Sequence, residues 1–540
     1  MMKLGFLILV VCIAALMLLF WRANGPGEKE RGLVLKSVEH PAGVTGIMFN
    51  EDASHFFHAR RAMKKLSLAE VEAFVDQYAD TQIKAMLFNP NCQRTSYDSK
   101  VWTPVWKGLD PNGPDNQPLF ASVPTNEQKS ARAWIQLAWQ LNQDGIDPYK
   151  VWTERCRKLG IAPWISMRMN DIHGVHDPNY YLHGDFWRAH PEFRRVNYTE
   201  GMVGDWSDNA LDYGHPEVRE YHMKLIRELA QRYDFDGFEM DFMRFGYLFR
   251  PGHEAEGAKQ LTEFIREARR VMDAAEKRVG HRIALSARVP YRPETALLMG
   301  YDVATWAQEG LIDWIVPTPF FQTIDNDMPI DIWKRLLLKT KVKIAAGLEA
   351  GISPTLSFPR QGNSIETLRG SAASYLVRGA DRIYTFNMFD SVPADPRHHK
   401  VMSEIGDLKT IRGKTRRHVL TYHDVAAPGE PKIYQLPVTT YPGAHYRFRI
   451  HTGPKPDTEE VSVMLGSETG AFDASTLTVR VNGFVCAFSG DVKLQNPAPT
   501  GPVCGYSVPK SAMNEGYNLI EIRALKAVTV NWVEFYFKGS

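Results

Sequence analysis

Three carboxylates near the ends of two apolar segments are the side chains best placed to do chemistry. In Asp236–Arg244, apolar and acidic residues alternate, and this period of two puts Glu239 and Asp241 on one face of a β-strand. A second apolar segment, Val342–Ala350, carries Glu349 just before its end. Burying an unpaired carboxylate is costly, so carboxylates in such positions usually have cationic partners, hydrogen bonds or a catalytic task. We predict Asp241 and Glu349 as a catalytic pair, with Glu239 in reserve.

Two carboxylates that face each other across a cleft can cleave a glycosidic bond. One protonates the leaving oxygen, while the other attacks the sugar or activates a water molecule. The sequence leaves open which of Asp241 and Glu349 takes which role, and whether the anomeric configuration is retained or inverted. It also leaves open that Glu239 is a buried ion-pair partner of Arg168 or Arg288.

Polar side chains at or just beyond the other predicted strand ends form the candidate substrate-binding set. The arginines among them could bind a sulfate or carboxylate group of an anionic glycan, or they could neutralise the carboxylates of the site. The sequence favours neither interpretation. The set comprises Asn89, Arg94, Arg168, Asn170, Asp171, His173, His176, Arg244, Arg288 and Asn387.

One loop offers a different chemistry, because Asp171, His173 and His176 are residue types that bind divalent metals. The other predicted strand ends contribute no histidine, so we predict neither a metal nor a cofactor. A metal-dependent carbohydrate hydrolase or deacetylase stays open as an alternative. A second alternative is a carbohydrate-binding surface protein without catalytic activity.

Apolar segments rich in Ile, Val and Phe alternate with segments of helical period over residues 38–413. Eight such strand-then-helix units predict an α/β fold of the (β/α)₈ TIM-barrel type, whose active sites lie at the C-terminal ends of the strands. Residues 92–146 and 172–214 are predicted as long loops whose aromatic side chains could stack on sugars. The predicted strands are Gly46–Glu51, Ile83–Asn91, Ile161–Asp171, Asp236–Arg244, Arg282–Pro290, Ile312–Phe321, Val342–Ala350 and Arg382–Asp390.

Short alternating segments without long helices fill residues 415–540. Their Gly, Pro and Asn punctuation predicts a jelly-roll-like β-sandwich as an accessory domain. Of the cysteines, only Cys486 and Cys504 lie in positions that could form a disulfide bond.

The net charge and the N-terminal segment limit the partners and the cellular location that the sequence predicts. The 64 Lys and Arg nearly balance the 62 Asp and Glu, which argues against a bulk nucleic-acid binder. Leu4–Phe20 is a continuous apolar run after Lys3, so we expect residues 1–25 to be an export signal or a membrane anchor. The expected location is periplasmic, cell-surface or secreted, with carbohydrate as the partner and membrane contact only through this segment if it is not cleaved.

Residues 164–244 resemble the glycoside-hydrolase-like family 10 barrels, a bacterial group. The resembling stretches are Trp164–Asn170, His190–Phe193 and Leu211–Tyr221, followed by Arg232–Phe238 and then Asp241. The family pattern is roughly L-D-x-G-x-P-x-V-R-x-Y and then R-Y-D-V-D-G-I-H-x-D-D-Y. The resemblance implies a (β/α)₈ fold, a carbohydrate substrate and a functional carboxylate at Asp241.

The sequence departs from that family pattern at two positions of the fourth strand. Glu239 stands where the family has His, and Phe242 stands where it has a second Asp. The polar layer of the barrel is therefore rearranged, and the resemblance does not specify the sugar.

Overall fold

The computed structural model describes residues 45–52, 54–195, 204–388, 394–467 and 476–539. The predicted export segment at residues 1–25 lies outside these ranges. Among the helices of the described part, none is long and apolar enough to cross a membrane.

Eight parallel strands close into a barrel and confirm the predicted fold class. Each strand pairs with the next along the chain, and β8 pairs with β1 to close the ring. All eight lie within the predicted segments, and most are shorter because the ends of the barrel open into loops. The strands are β1 Ile47–Glu51, β2 Ile83–Phe88, β3 Ala162–Arg168, β4 Gly237–Asp241, β5 Ala284–Pro290, β6 Trp314–Thr318, β7 Lys343–Leu348 and β8 Arg382–Thr385.

Helices cover the outside of the barrel, and an apolar core lies between them and the strands. The longest, α7, begins with the acidic Glu254 and Glu256, ends with Lys277 and Arg278, and stops at Gly280, whose φ is +83°. These charges complement the helix dipole, and the left-handed glycine closes the C-terminus. The helices are α1 His55–Ala59, α2 Leu68–Asp76, α3 Thr125–Gln143, α4 Pro148–Lys158, α5 Asp185–Ala189, α6 Pro216–Arg232, α7 Glu254–Val279, α8 Pro293–Leu298, α9 Val303–Gln308, α10 Ile330–Leu336, α11 Ile365–Val377, α12 Pro396–Met402 and α13 Leu408–Ile411.

The predicted long loop over residues 92–146 contains a helix, α3, that was not predicted. Its buried residues include Ala131, Trp134, Ile135 and Leu141, which share one helical face. The many polar residues between them hide this apolar stripe in the sequence. In the described part of the loop after β3, residues 169–195 and 204–215, the helical elements are the short helix α5 and 3₁₀ turns.

Antiparallel sheets follow the barrel, as predicted. One has five strands in the order β9-β16-β11-β14-β13, and the other has the order β10-β15-β12 with Phe484–Val485 at its edge. Apolar residues of both sheets form one core between them, which makes the region a β-sandwich. The strands are β9 Arg416–Val419, β10 His445–His451, β11 Glu460–Gly466, β12 Leu477–Val481, β13 Ala487–Asp491, β14 Val503–Val508, β15 Tyr517–Ala524 and β16 Trp532–Lys538.

Cys486 and Cys504 are free thiols in the structure, so the bridge that the sequence left open is not formed. Both are buried in the sandwich core, and burial raises the pKa of each thiol to about 11. The two residues lie in different parts of the sandwich, and only Cys504 belongs to a long strand.

Candidate active site

Asp241 is the last residue of β4 and is buried at the C-terminal end of the barrel. Arg288 of β5 pairs with it in the strand register and donates from Nη1 to both carboxylate oxygens, at 3.2 and 3.0 Å. The amide of Met243 donates a third hydrogen bond at 3.0 Å. Arg288 is itself held by Thr318, whose hydroxyl accepts from Nε at 3.1 Å, and by the ring of Phe386. The carboxylate of Asp241 is thus fixed in one orientation.

Glu349 follows β7 directly and is also buried. Its Oε1 accepts hydrogen bonds from the amide of Ala350 at 2.9 Å, from Arg360 Nη2 at 2.9 Å and from Asn387 Nδ2 at 3.4 Å. Within the described residues, Oε2 has no hydrogen-bond partner. The hydrogen bonds to Oε1 therefore hold the carboxylate in place, while Oε2 accepts none from the described residues.

A network of hydrogen bonds and ion pairs joins Glu349, after β7, to the loop after β3 on the opposite side of the barrel. Asn387 Oδ1 accepts from Arg244 Nη2 at 2.8 Å, and the same nitrogen donates to Asp52 at 3.2 Å. Arg168 also donates to Asp52 and reaches Asp171 Oδ2 at 2.8 Å.

The network ends at His173, whose Nδ1 lies 3.0 Å from Asp171 Oδ1. The network thus joins Glu349 to five members of the predicted substrate-binding set. They are Arg168, Asp171, His173, Arg244 and Asn387.

The network shifts the acidities of its members. Burial alone would raise the pKa of Asp52, but Arg168 and Arg244 outweigh it and hold the pKa well below its usual range. In the same way, His173 and Arg168 overcome burial and lower the pKa of Asp171. Burial and the neighbouring Arg168 lower the pKa of Arg244 to about 10.

Glu239 lies on the same face of β4 as Asp241, one layer deeper in the barrel, and is fully buried. Its Oε1 accepts hydrogen bonds from Ser166 Oγ at 2.8 Å, Tyr384 OH at 2.8 Å and Asn50 Nδ2 at 3.3 Å. Burial and the charge of Asp241 raise the pKa of Glu239 to about 7. Its hydrogen-bond donors are neutral groups, whereas Arg168 and Arg288 pair with aspartates.

Four members of the predicted substrate-binding set join neither this network nor the ion pair of Arg288 and Asp241. Asn89 donates to the carbonyl of Ser166, and Asn170 exchanges two hydrogen bonds with the backbone of Leu211. Arg94 donates to the carbonyl of His183 at 2.9 Å. Asn89 thus binds the backbone of β3, and the other two side chains bind loop backbones. His176 is exposed on the loop after β3.

Two of the loop aromatic residues that could stack on sugars pack within the loops. Trp102 stacks on Tyr221 with ring centroids 4.4 Å apart, and Trp187 lies under the guanidinium of Arg194. Both tryptophans are buried.

Two residues of the site were missed in the sequence. Asp52 follows the acidic end of β1, and Arg360 lies between the two short strands of a ribbon after β7, Gly351–Ile352 and Gln361–Gly362. A carboxylate directly after β1 was a usable signal for Asp52, but no local pattern marks Arg360.

The alternative metal site does not assemble from its predicted ligands. Asp171 is engaged by Arg168 and His173, and His176 is exposed. Within the described ranges, no three His, Cys, Asp or Glu side chains come together as a possible metal centre.

Comparison with known proteins gives no family for this chain. No protein-family model matches the sequence, and no curated protein is similar to it. The resemblance over residues 164–244 therefore stays a prediction.

Solved structures that resemble the chain at low identity include glycoside hydrolases. The glycoside hydrolase domain of PgaB (BpsB) from Bordetella bronchiseptica has a TM-score of 0.38 and 9% identity, and the match covers 67% of this chain and 99% of that domain. A chitinase from Bacillus thuringiensis has a TM-score of 0.36 and 9% identity, with 91% and 100% coverage.

A cycloisomaltooligosaccharide glucanotransferase from Paenibacillus has a TM-score of 0.32 and 10% identity over 90% of this chain. The chain spans 57% of the length of that protein. None of these similarities carries an argument about the activity of this chain.

Proposed function

We propose that the protein is a glycoside hydrolase that acts on an oligosaccharide or polysaccharide through Asp241 and Glu349. The observation that carries the proposal is the pair of oriented, buried carboxylates at the C-terminal end of the barrel, where enzymes of this fold have their active sites. They come from β4 and β7, and β5 and β6 separate these strands around the ring. The carboxylates therefore approach a bound sugar from different directions, as glycoside hydrolysis requires.

The charges of the site favour a neutral sugar over a sulfated or uronic one. Arg288 is paired with Asp241, and Arg360 with Glu349. Arg168 and Arg244 share Asp52, and Arg168 also has Asp171. The four guanidinium groups thus meet four carboxylates. An anionic substrate would have to break one of these ion pairs, so we propose a neutral glycan as the substrate.

The test is turnover of a panel of neutral, sulfated and uronic glycans by the full-length protein and its variants. Asp241→Asn and Glu349→Gln are each expected to lower kcat by about 10³-fold while the protein stays folded, because each removes a proton-transferring or nucleophilic group. Glu534→Gln is the matched control. Glu534 is buried like Asp241 and Glu349, and its carboxylate accepts a hydrogen bond from Arg417 Nη2 at 2.8 Å. It lies in the sandwich, away from the candidate active site.

Three outcomes would each contradict a part of the proposal. If Asp241→Asn turns over glycan as fast as the wild type, Asp241 is not catalytic. If the wild type binds glycans but cleaves none of the panel, the chain is the non-catalytic carbohydrate-binding protein left open by the sequence. Faster turnover of sulfated or uronic glycans than of neutral ones would contradict the neutral substrate.

The cellular location of the protein depends on residues 1–25. We propose export through this segment, which predicts that the full-length protein is found outside the cytoplasm. Cell fractionation of the full-length protein beside a chain that lacks residues 1–25 tests this.

A further inference from the structure

A carboxylate from outside the barrel fixes a loop at the candidate active site. Asp424 follows β9 and is buried against the loop after β6. It accepts hydrogen bonds from the backbone amides of Phe320 at 2.9 Å, Gln322 at 3.2 Å and Thr323 at 3.4 Å. Three amides of one short loop therefore converge on a single side chain that is distant in sequence.

The loop needs an external partner because its backbone is strained at one residue. Phe321 has a φ of +72°, in the left-handed region that residues with a bulky side chain rarely occupy. The amides on both sides of Phe321 are among those bound by Asp424. The hydrogen bonds of Asp424 thus bracket the strained residue and hold its side chain in one direction.

The ring of Phe321 lies near Arg360, the arginine that binds Glu349. Its side chain is 36% exposed. The guanidinium of Arg360 lies 5.8 Å from the ring centre, and the same guanidinium donates to Glu349. On the inner side, Phe320 packs edge-on against Phe245 at 5.7 Å. One aromatic ring anchors the loop, and the next is partly exposed beside the arginine that binds Glu349.

The charge of Glu349 also acts on Asp424. Burial raises the pKa of Asp424 to about 7, and the charge of Glu349 adds to this rise.

We propose that Asp424 is a positioning residue of the active site and that the loop it holds presents Phe321 as a stacking surface for a sugar ring beside Glu349. The apolar face of a sugar packs well on an aromatic ring, and this contact needs the ring in a fixed orientation. The inference rests on the proposed function for its substrate class, although the positioning itself is independent of any substrate. It also makes the segment after β9 a part of the active site.

The positioning is tested by crystal structures of the full-length Asp424→Ala and Asp424→Asn variants. We expect the alanine variant to lose the left-handed conformation of Phe321, and the asparagine variant, which keeps one acceptor oxygen, to retain it at least in part. An unchanged loop in Asp424→Ala would overturn the role of Asp424, whether or not the protein hydrolyses glycans.

Asp381→Asn is the matched control for Asp424. The carboxylate of Asp381 also accepts a backbone amide, that of Ile344 at 2.8 Å, but it lies at the opposite end of the barrel. This variant is expected to lower stability and to leave kcat and KM unchanged.

The stacking role is tested by the kinetics of Phe321→Ala and Phe321→Trp. Alanine is expected to raise KM about five- to ten-fold with little change in kcat, because it removes a binding contact and no reacting group. Tryptophan should restore KM. The matched control is Phe488→Ala, which removes an exposed aromatic ring from the sandwich and should leave KM unchanged.

The outcomes separate this inference from the proposed function. If the wild type hydrolyses glycans and Phe321→Ala keeps the wild-type KM, the stacking role is wrong and the proposed function stands. If no glycan is hydrolysed, glycan affinity measured by calorimetry replaces KM, and equal affinity of wild type and Phe321→Ala overturns the stacking role. An absence of any glycan binding by the wild type overturns it as well.

Discussion

Glu239 and Asp241 are two carboxyl groups on one strand whose surroundings differ. Asp241 is bound by a guanidinium group, whereas the three side chains that donate to Glu239 are neutral. Such a difference commonly separates a group that holds a proton from one that carries a charge. At neutral pH, Glu239 is therefore a partly protonated residue beneath the candidate catalytic aspartate.

The raised pKa of Glu239 predicts how stability depends on pH. The ordinary value is 4.5, and the folded-state value is about 7. Between these values the native state holds a proton that the unfolded state releases, so the free energy of unfolding falls as pH rises, with a slope of up to about 1.4 kcal/mol per pH unit. Glu239→Gln removes this titration and should flatten the dependence between pH 5 and 7. Urea unfolding of wild type and variant over pH 5–8 measures it.

The same pH series on Glu534→Gln is the control for Glu239. This variant alters a buried carboxylate that is paired with Arg417 in the sandwich. If Glu239→Gln and wild type have parallel curves over pH 5–7, Glu239 is ionised throughout and the interpretation is wrong.

Helix α11 and strand β9 approach each other more closely than any side chain would allow. A Cβ on Gly370 would lie 1.9 Å from the carbonyl oxygen of Arg417, which is backbone and cannot turn aside. Near this contact, Arg369 Nη1 donates to the carbonyl of Thr415 at 3.0 Å. The glycine in the middle of a barrel helix is thus the residue that lets the sandwich dock.

Gly370→Ala should therefore destabilise the protein although alanine is the better helix former. The preference of a helix for alanine would add about 1 kcal/mol of stability, but the clash forces the helix and strand apart and is expected to cost roughly 3 kcal/mol. Denaturant unfolding measures the change. Gly362→Ala, where a Cβ meets nothing within 4 Å, should stay within about 0.5 kcal/mol of wild type. Equal stability of both variants would show that this contact opens freely.

The barrel and the sandwich belong to one compact unit, and a buried polar cluster joins them. His423, from the segment after β9, has its Nδ1 2.6 Å from Asp325 Oδ2 and 2.8 Å from the hydroxyl of Tyr291. Its neighbour Asp424 holds the loop at the candidate active site. One short segment of the chain thus connects the sandwich to two loops of the barrel.

His423 should make this connection sensitive to pH. Burial disfavours the charged ring, but Asp325 outweighs it and raises the pKa of His423 above 6.5; Arg292 opposes the rise and Asp327 supports it. A raised histidine pKa stabilises the fold fully below pH 6.5, and the effect is lost as pH rises through the folded-state value. His423→Gln should thus lower stability by about 1 kcal/mol at pH 5.5 and by less at pH 9.

Thermal unfolding of wild type and His423→Gln at both pH values measures this difference. A loss of stability that is equal at pH 5.5 and pH 9 would mean that folding does not shift the pKa of His423. In that case its contact with Asp325 is an ordinary hydrogen bond.

Much of the architecture follows from local patterns. The period of two in each strand and the alternation of strands with helices are short-range properties, so they predict the eight-stranded barrel, the sandwich and the inward positions of Glu239 and Asp241. Helix α3 was not predicted because polar residues separate the apolar residues of its buried face. Glu349, Arg168 and Asn387 were also predicted as site residues, because the apolar residues around each of them mark the end of a strand.

Which of these groups meet depends on the tertiary fold. Asp52 joins Arg168 and Arg244, Arg360 reaches Glu349 from a ribbon, and Asp424 comes from beyond the barrel. Each contact links segments that no local period relates, because closing the ring brings separate loops to one end of the barrel. Local patterns place Glu239, Asp241 and Glu349 on strands or at strand ends, and the fold supplies their partners, since charge pairing depends on distance in space and not on distance along the chain.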